Sequence, residues 1–379
     1  MKISSKHSII FLFLLLIISN LNSLSAKTND TIFVPNIQIE LRSSYGFMIC
    51  HHQEMKVFQS HFPLFELNVE QVTFGRKSWQ SKANYPTIGF SFIYTGLGEM
   101  PEIGKAFAIV PHMSLNCLKS KRHQLSFKLG IGLGYVTKKY DAVENPKNTF
   151  VGSHFNAAID ISFDYSYMIT NRLGVTAFVG LTHFSNGSSR TPNNGINIGH
   201  AGLGAKYFIS QPKQRIQKQP TDNQKYKSWK WENISLYFGF CYSQKDVDEY
   251  LGYGKSWGVY NFQVNALKRL TEMSKVGIGV DVVYDCTDKE VLGHKGIEFT
   301  DFEILKPGIN AAYEVAFGST SFIFNFGCHI AGKDLCEGRI YQKLGIMQNL
   351  GKHIFLTAAL TTHFGWADYI GFGLGYRIH

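Results

Sequence analysis

Residues 154–169 read HFNAAIDISFDYSYMI, and two different chains are interleaved in them. The odd positions are Phe155, Ala157, Ile159, Ile161, Phe163, Tyr165, Tyr167 and Ile169. The even positions from His154 to Ser166 are His, Asn, Ala, Asp, Ser, Asp and Ser. Side chains two apart share a face of an extended chain, so this segment is apolar on one side and polar on the other. The same two-residue period runs through 124–135, where Leu125, Phe127, Leu129, Ile131, Leu133 and Tyr135 alternate with Gln, Ser, Lys and three glycines. It returns at 276–284, 305–317 and 322–330. These segments reach or exceed the roughly 9–11 residues that a tilted strand needs to cross a membrane. A soluble sandwich or lipocalin-like barrel, with shorter strands and the apolar side inward, is the alternative.

Composition points to an exported barrel. Aromatics make up 14% of the 379 residues, with 30 Phe, 19 Tyr and 36 Gly, while mean hydropathy is near zero. Lys2 and Lys6 precede an apolar run at 9–18, followed by small residues up to Ala26. That is the layout of a signal peptide over 1–26, with an apolar core too short to span a bilayer. Beyond it no apolar stretch approaches the ~18 residues of a membrane helix. Loss of the two lysines lowers the net charge from +10 to +8. For an exported chain, a basic surface favours anionic lipid headgroups, lipopolysaccharide included, over nucleic acid. The six cysteines show no metal-ligand spacing; Cys328 with Cys336 could close a short loop, and isolated thiols on strands are the equal alternative. His51, His52 and Glu54 form a weak metal-binding candidate, read more simply as solvated loop; no metal or cofactor is expected.

Long polar connections (137–153, 185–195, 243–256, 286–301) alternate with short turns (119–122, 170–172, 269–274, 318–320). Outer-membrane barrels combine long outer loops with short periplasmic turns in this way. The fold expected is therefore an all-β, antiparallel transmembrane β-barrel, with eight strands before Ile209 and about eight more from Ile234 onward. The polar segment SQPKQRIQKQPTDNQKYKSWKWEN at 210–233 separates them. The expected division is a barrel region at 27–210, a linker or long turn at 211–232, and a second set of strands at 233–379. One large barrel and two joined eight-stranded units both satisfy this pattern, and the oligomeric state stays open.

Strand parity then orients the segment LTHFSNGSSRTPNNGIN at 181–197. His183 and Ser185 continue the outward row Leu173, Val175, Ala177, Val179 and Leu181. On the returning strand Asn197 belongs to the row with Gly199, Ala201, Leu203, Ala205 and Tyr207. Three polar groups thus converge on the lipid-facing wall, where their desolvation is costly. A serine beside a histidine is the unit of nucleophilic acyl transfer. The Asn186 and Asn193 groups nearby offer donors for an oxyanion. A polar hairpin tip is the other reading. In the second half, THF recurs at 362–364 with Gly365 in place of the serine; parity turns His363 inward, so that half is expected to be non-catalytic.

HFSN at 183–186 followed by PNNGIN at 192–197 resembles the signature of PagL-type lipid A 3-O-deacylases, outer-membrane barrels that hydrolyse an ester-linked acyl chain of lipid A. The likeness is strongest over 182–199, and the longer chain is similar to acyloxyacyl hydrolase-type relatives. The resemblance implies Ser185 as nucleophile, His183 as general base, and the Asn186 amide with the Asn193 side chain as the oxyanion hole. A glutamate that orients the histidine in that family falls on Asn197 here. A neutral amide accepts the imidazole N–H but does not stabilise the imidazolium as a carboxylate does, and an Asp-to-Asn change in a serine triad can cost about 10⁴ in rate. Asp141 and Glu144, in a loop at the same end of the barrel, are the other candidate acids. The expected function is a serine esterase acting on lipid A in the outer leaflet. A channel or transporter without catalysis, and an outer-membrane phospholipase, are the alternatives.

Overall fold

The computed structural model describes residues 36–50, 52–120, 122–209, 216, 223, 226–247, 255–335 and 338–378. The expected signal peptide, most of the inter-barrel segment, His51 and Cys336 lie outside the described residues. Among the described residues, sixteen antiparallel strands form two closed barrels of eight. The first contains β1 (Asn36–Met48), β2 (His61–Val72), β3 (Thr87–Thr95), β4 (Ala106–Lys119), β5 (His123–Val136), β6 (Phe155–Met168), β7 (Leu173–Ser185) and β8 (Ile196–Phe208). The second contains β9 (Ile234–Lys245), β10 (Trp257–Arg269), β11 (Ser274–Asp285), β12 (Leu305–Phe317), β13 (Thr320–His329), β14 (Ile340–Asn349), β15 (Ile354–His363) and β16 (Trp366–Ile378). Of the two arrangements left open by the strand count, the single large barrel is excluded. β1 pairs with β8 (Ile39 opposite Tyr207), and β16 returns to β9 (Leu374 opposite Phe240). Closure leaves no edge whose amides would face hydrocarbon unpaired.

The two-residue period becomes an inside and an outside. On β1 every second residue from Asn36 is buried and the intervening ones are exposed. β7 is exposed at Leu173, Val175, Ala177, Val179 and Leu181 and buried at Gly174, Thr176 and Phe178. The outward rows carry paired aromatics, including Phe127 with Phe163 and Phe240 with Phe262. The first lumen is filled by ions: Arg42 with Glu40 and Asp164 (2.8 Å each), His112 with Glu70 (2.9 Å), and Lys128 with Asp160 (2.7 Å) and Glu66. Toward the loop end the filling becomes apolar, with Phe150, Phe184, Ile196 and Ile198 fully buried. The second lumen holds Tyr237 and Lys275 around Glu314, and Tyr341 and Lys343 around Asp281. Eight strands give a bore that side chains fill, and both bores are filled in this way.

The barrels stand side by side with their long loops at one end, and they touch at both ends. At the turn end the connection 73–86 is long rather than short. Its helix Ser78–Lys82 sets Trp79 edge-on to Phe317 (6.1 Å) and pairs Ser78 and Lys82 with Glu272. At the loop end, the β7–β8 loop docks on the second barrel. Ser188 Oγ donates to Ala367 O (2.6 Å), Asp246 N–H to Ser188 O (2.8 Å), and Thr191 N–H to Asp246 Oδ2 (3.1 Å).

Candidate active site

Of the three residues named from strand parity, the ladder sets His183 and Asn197 side by side, with Ser185 two positions further along β7. His183 pairs with Asn197 across β7 and β8, and with Ile159 across β6 and β7; Ser185 pairs with Ala157. Directly opposed residues have Cβ atoms about 4.5–5.5 Å apart, so a short amide reaches a neighbouring ring. His183 Nδ1 lies 2.6 Å from Asn197 Oδ1. The amide oxygen accepts the Nδ1 proton, which leaves Nε2 as the basic nitrogen. Gly195 stands behind the ring at φ +75°, and a Cβ there would lie 2.7 Å from His183 Cε1. A residue without a side chain is required at that position, because L residues rarely adopt this φ and the ring occupies the space.

Ser185 is 7% exposed. Its Oγ accepts from Asn193 Nδ2 at 3.0 Å and from the Gly187 N–H at 3.3 Å. The Asn186 N–H donates to Asn193 Oδ1 at 3.0 Å, which turns the Asn193 amino group toward the serine. Asn186 Nδ2 in turn ties the loop to Arg190 O at 2.9 Å. In this arrangement the Asn193 side chain and the Gly187 amide are the donors at the serine oxygen, and the Asn186 amide orients Asn193. Gly187 was not among the residues picked out from sequence; its donor is a backbone group, which no side-chain pattern announces.

The other candidates have partners of their own. Asp141 Oδ1 accepts from the N–H groups of Val143 and Glu144 (2.9 and 3.0 Å), which closes its own turn and holds its carboxyl below the ordinary range. Glu144 is exposed. His363 turns inward as parity requires, with Nδ1 on Ile340 O (2.8 Å) and Nε2 3.5 Å from Asp368. His52 faces Glu54 at 3.9 Å and packs edge-on against Trp366 of the second barrel.

His183, Ser185, Asn186 and Asn193 line the loop end of a groove of about 2690 Å³ between the two barrels. Phe127, Leu129, Ile131 and Leu133 of β5 are on one wall; Phe324, Leu344, Leu360 and Phe372 are on the other. A serine and a histidine at the mouth of an apolar groove on the lipid side suit a ligand with one polar linkage and a long hydrocarbon tail.

Two family models match the chain. Residues 64–206 match a model described as lipid A 3-O-deacylase (PagL), and residues 232–379 match one described as acyloxyacyl hydrolase, C-terminal domain. Together they cover about three quarters of the chain. No curated protein sequence matches. Among solved structures, Neisserial surface protein A is 8% identical, covering 45% of this chain and 96% of its own at a TM-score of 0.32. A triple mutant of the Rhodopseudomonas blastica porin is 6% identical, covering 91% and 100% at a TM-score of 0.18. Both scores are low, and the architecture rests on the strand pairing itself.

Proposed function

Because the chain belongs to the family of PagL-type lipid A 3-O-deacylases with an acyloxyacyl hydrolase C-terminal domain, we propose that it is an outer-membrane serine esterase that removes an ester-linked acyl chain from lipid A. The observation that carries this reading is the His183 Nδ1 to Asn197 Oδ1 bond of 2.6 Å on the lipid-facing wall, beside a serine held by amide donors. His183 Nε2 takes the Ser185 hydroxyl proton as Oγ attacks the ester carbonyl. The Asn193 amino group and the Gly187 N–H are the groups that would stabilise the resulting oxyanion. Collapse breaks the ester C–O bond, the leaving sugar oxygen takes the proton from His183, and the acyl chain stays on Ser185. Water, activated by the same imidazole, then releases the fatty acid and restores the hydroxyl.

Both bores being filled by side chains argues against the channel reading. A phospholipase would use the same serine on a different ester, and substrate profiling separates the two. Mass spectrometry of lipid A from cells with and without the protein should show the loss of one ester-linked acyl chain. An unchanged profile, or deacylation that persists in Ser185→Ala, would sink the proposal.

A further inference from the structure

We propose that the groove between the barrels is the subsite for the scissile acyl chain, with the second barrel as one of its two walls. This inference rests on the esterase reading of Ser185 and adds a role for the half of the chain that carries no nucleophile. The groove opens at Ser185 and is lined by outward residues of both barrels. Contacts at both ends hold the walls in place: Trp79 against Phe317 at the turn end, and the 186–195 loop on Ala367 and Asp246 at the loop end.

Its depth suits one fatty acyl chain. Leu133, opposite Ala157 on β6, which is itself opposite Ser185, and Phe127 bound the part of the β5 wall that runs down from the serine, and Tyr135 continues that wall toward the loops. Six residues of strand rise about 20 Å, or about 15 Å along the membrane normal at the ~40° tilt of small barrels. That is one leaflet of a ~30 Å hydrocarbon core. The opposing wall is bulky at Phe324 and Leu344 and small at Ala358 near Leu360. Ordinary bilayer chains would meet the same walls; what selects the scissile chain is continuity with the serine at the mouth.

The full-length protein in vesicles is tested with a short-chain and a long-chain p-nitrophenyl ester, reading the ratio of long-chain to short-chain kcat/KM. Leu360→Trp fills the groove. At about fourfold per excluded methylene, loss of three methylenes lowers the ratio about 60-fold. Leu360→Ala widens it and raises the ratio for the longest chains, a gain that misfolding does not produce. Ile278→Trp, on the exposed outer face of β11 away from the groove, leaves the ratio as it was. An unchanged ratio in both Leu360 variants, with Ser185-dependent hydrolysis intact, overturns the groove and spares the esterase. If the wild type hydrolyses neither ester, the esterase reading fails instead. A second measurement then still judges the groove: a fatty acid with a terminal diazirine, photolysed with Ser185→Ala protein. Label confined to β5, β6 and β12–β16 supports the subsite, and label spread around both barrels refutes it.

Discussion

Replacing Asn197 with aspartate should accelerate the reaction. The two side chains have the same shape, so a carboxylate oxygen takes the place of the amide oxygen 2.6 Å from His183 Nδ1. The difference appears when the imidazole becomes positively charged on taking the serine proton. Opposite charges about 5 Å apart interact by about 3 kcal/mol at an effective dielectric of 20. Asn197 is half-buried, and solvent reduces that to about 1.5 kcal/mol, close to a tenfold gain in kcat at 1.4 kcal/mol per factor of ten. The larger effects seen in fully buried triads are the ceiling. Asn197→Ala removes the acceptor that orients the ring and should slow the reaction at least tenfold. The assay is single-turnover release of fatty acid from lipopolysaccharide in vesicles, followed by mass spectrometry, with near-ultraviolet circular dichroism to verify packing. A well-packed Asn197→Asp protein that is no faster, together with an Asn197→Ala protein that is no slower, would refute the assignment of the imidazole's partner and return attention to Asp141 and Glu144.

Three other outcomes follow from the same geometry. Asn193→Ala removes the amino group 3.0 Å from Ser185 Oγ and should lower kcat about 10²-fold with little change in KM, as loss of one oxyanion donor does. Gly195→Ala combines a left-handed φ, costing about 1–2 kcal/mol, with a Cβ pressed on His183 Cε1; a lower melting temperature and at least a tenfold loss in kcat are expected, and full activity would show that the ring position is not critical. Burial raises the Asp246 carboxyl above its ordinary range where it accepts the Thr191 N–H. Between the unfolded and the raised folded value the native state binds more protons, so this group's stability contribution declines as pH rises through that window. Asp246→Asn keeps an acceptor and removes the titration, so its melting temperature should gain on the wild type's as pH rises, as read by calorimetry.

Much of this was legible in the order of residues, because a strand's period is exact. Once 173–185 is extended, His183 and Ser185 must share a face with Leu181, and the β8 parity brings Asn197 to the same side; both follow from counting. Closure into two barrels was not legible, because the pairings of β1 with β8 and of β9 with β16 join residues far apart in sequence. Both the one-barrel and two-barrel solutions satisfy the same alternation. The docking of Ser188, Ser189 and Thr191 on the second barrel was also out of reach. A loop rich in Ser, Thr and Asn makes turns whatever it touches, and its partners were peptide groups, the Ser256 hydroxyl and Asp246, which carry no pattern. The same limit hid Gly187 as a donor.

The lumen of the first barrel matters to the site although it faces away from it. Thr182, between Leu181 and His183, donates to Asp160 Oδ1 (2.8 Å) and meets His200 Nε2 (3.1 Å). Asp160 is in turn bound to Lys128, which also holds Glu66. Phe184, between His183 and Ser185, is fully buried on the same inner side. Slippage of β7 by one residue would reverse every side chain. It would carry His183 and Ser185 inward, drive Thr182 and Phe184 into lipid, and leave Asp160 short of a partner. The Asp160–Lys128 pair itself joins β6 to β5 and would stay, but Asp160 would lose the Thr182 hydroxyl, and a hydrogen bond to a charged group contributes about 1.5–3 kcal/mol. The charged interior therefore acts as a penalty on the wrong register, and the outward direction of His183 and Ser185 is secured by the residues that alternate with them.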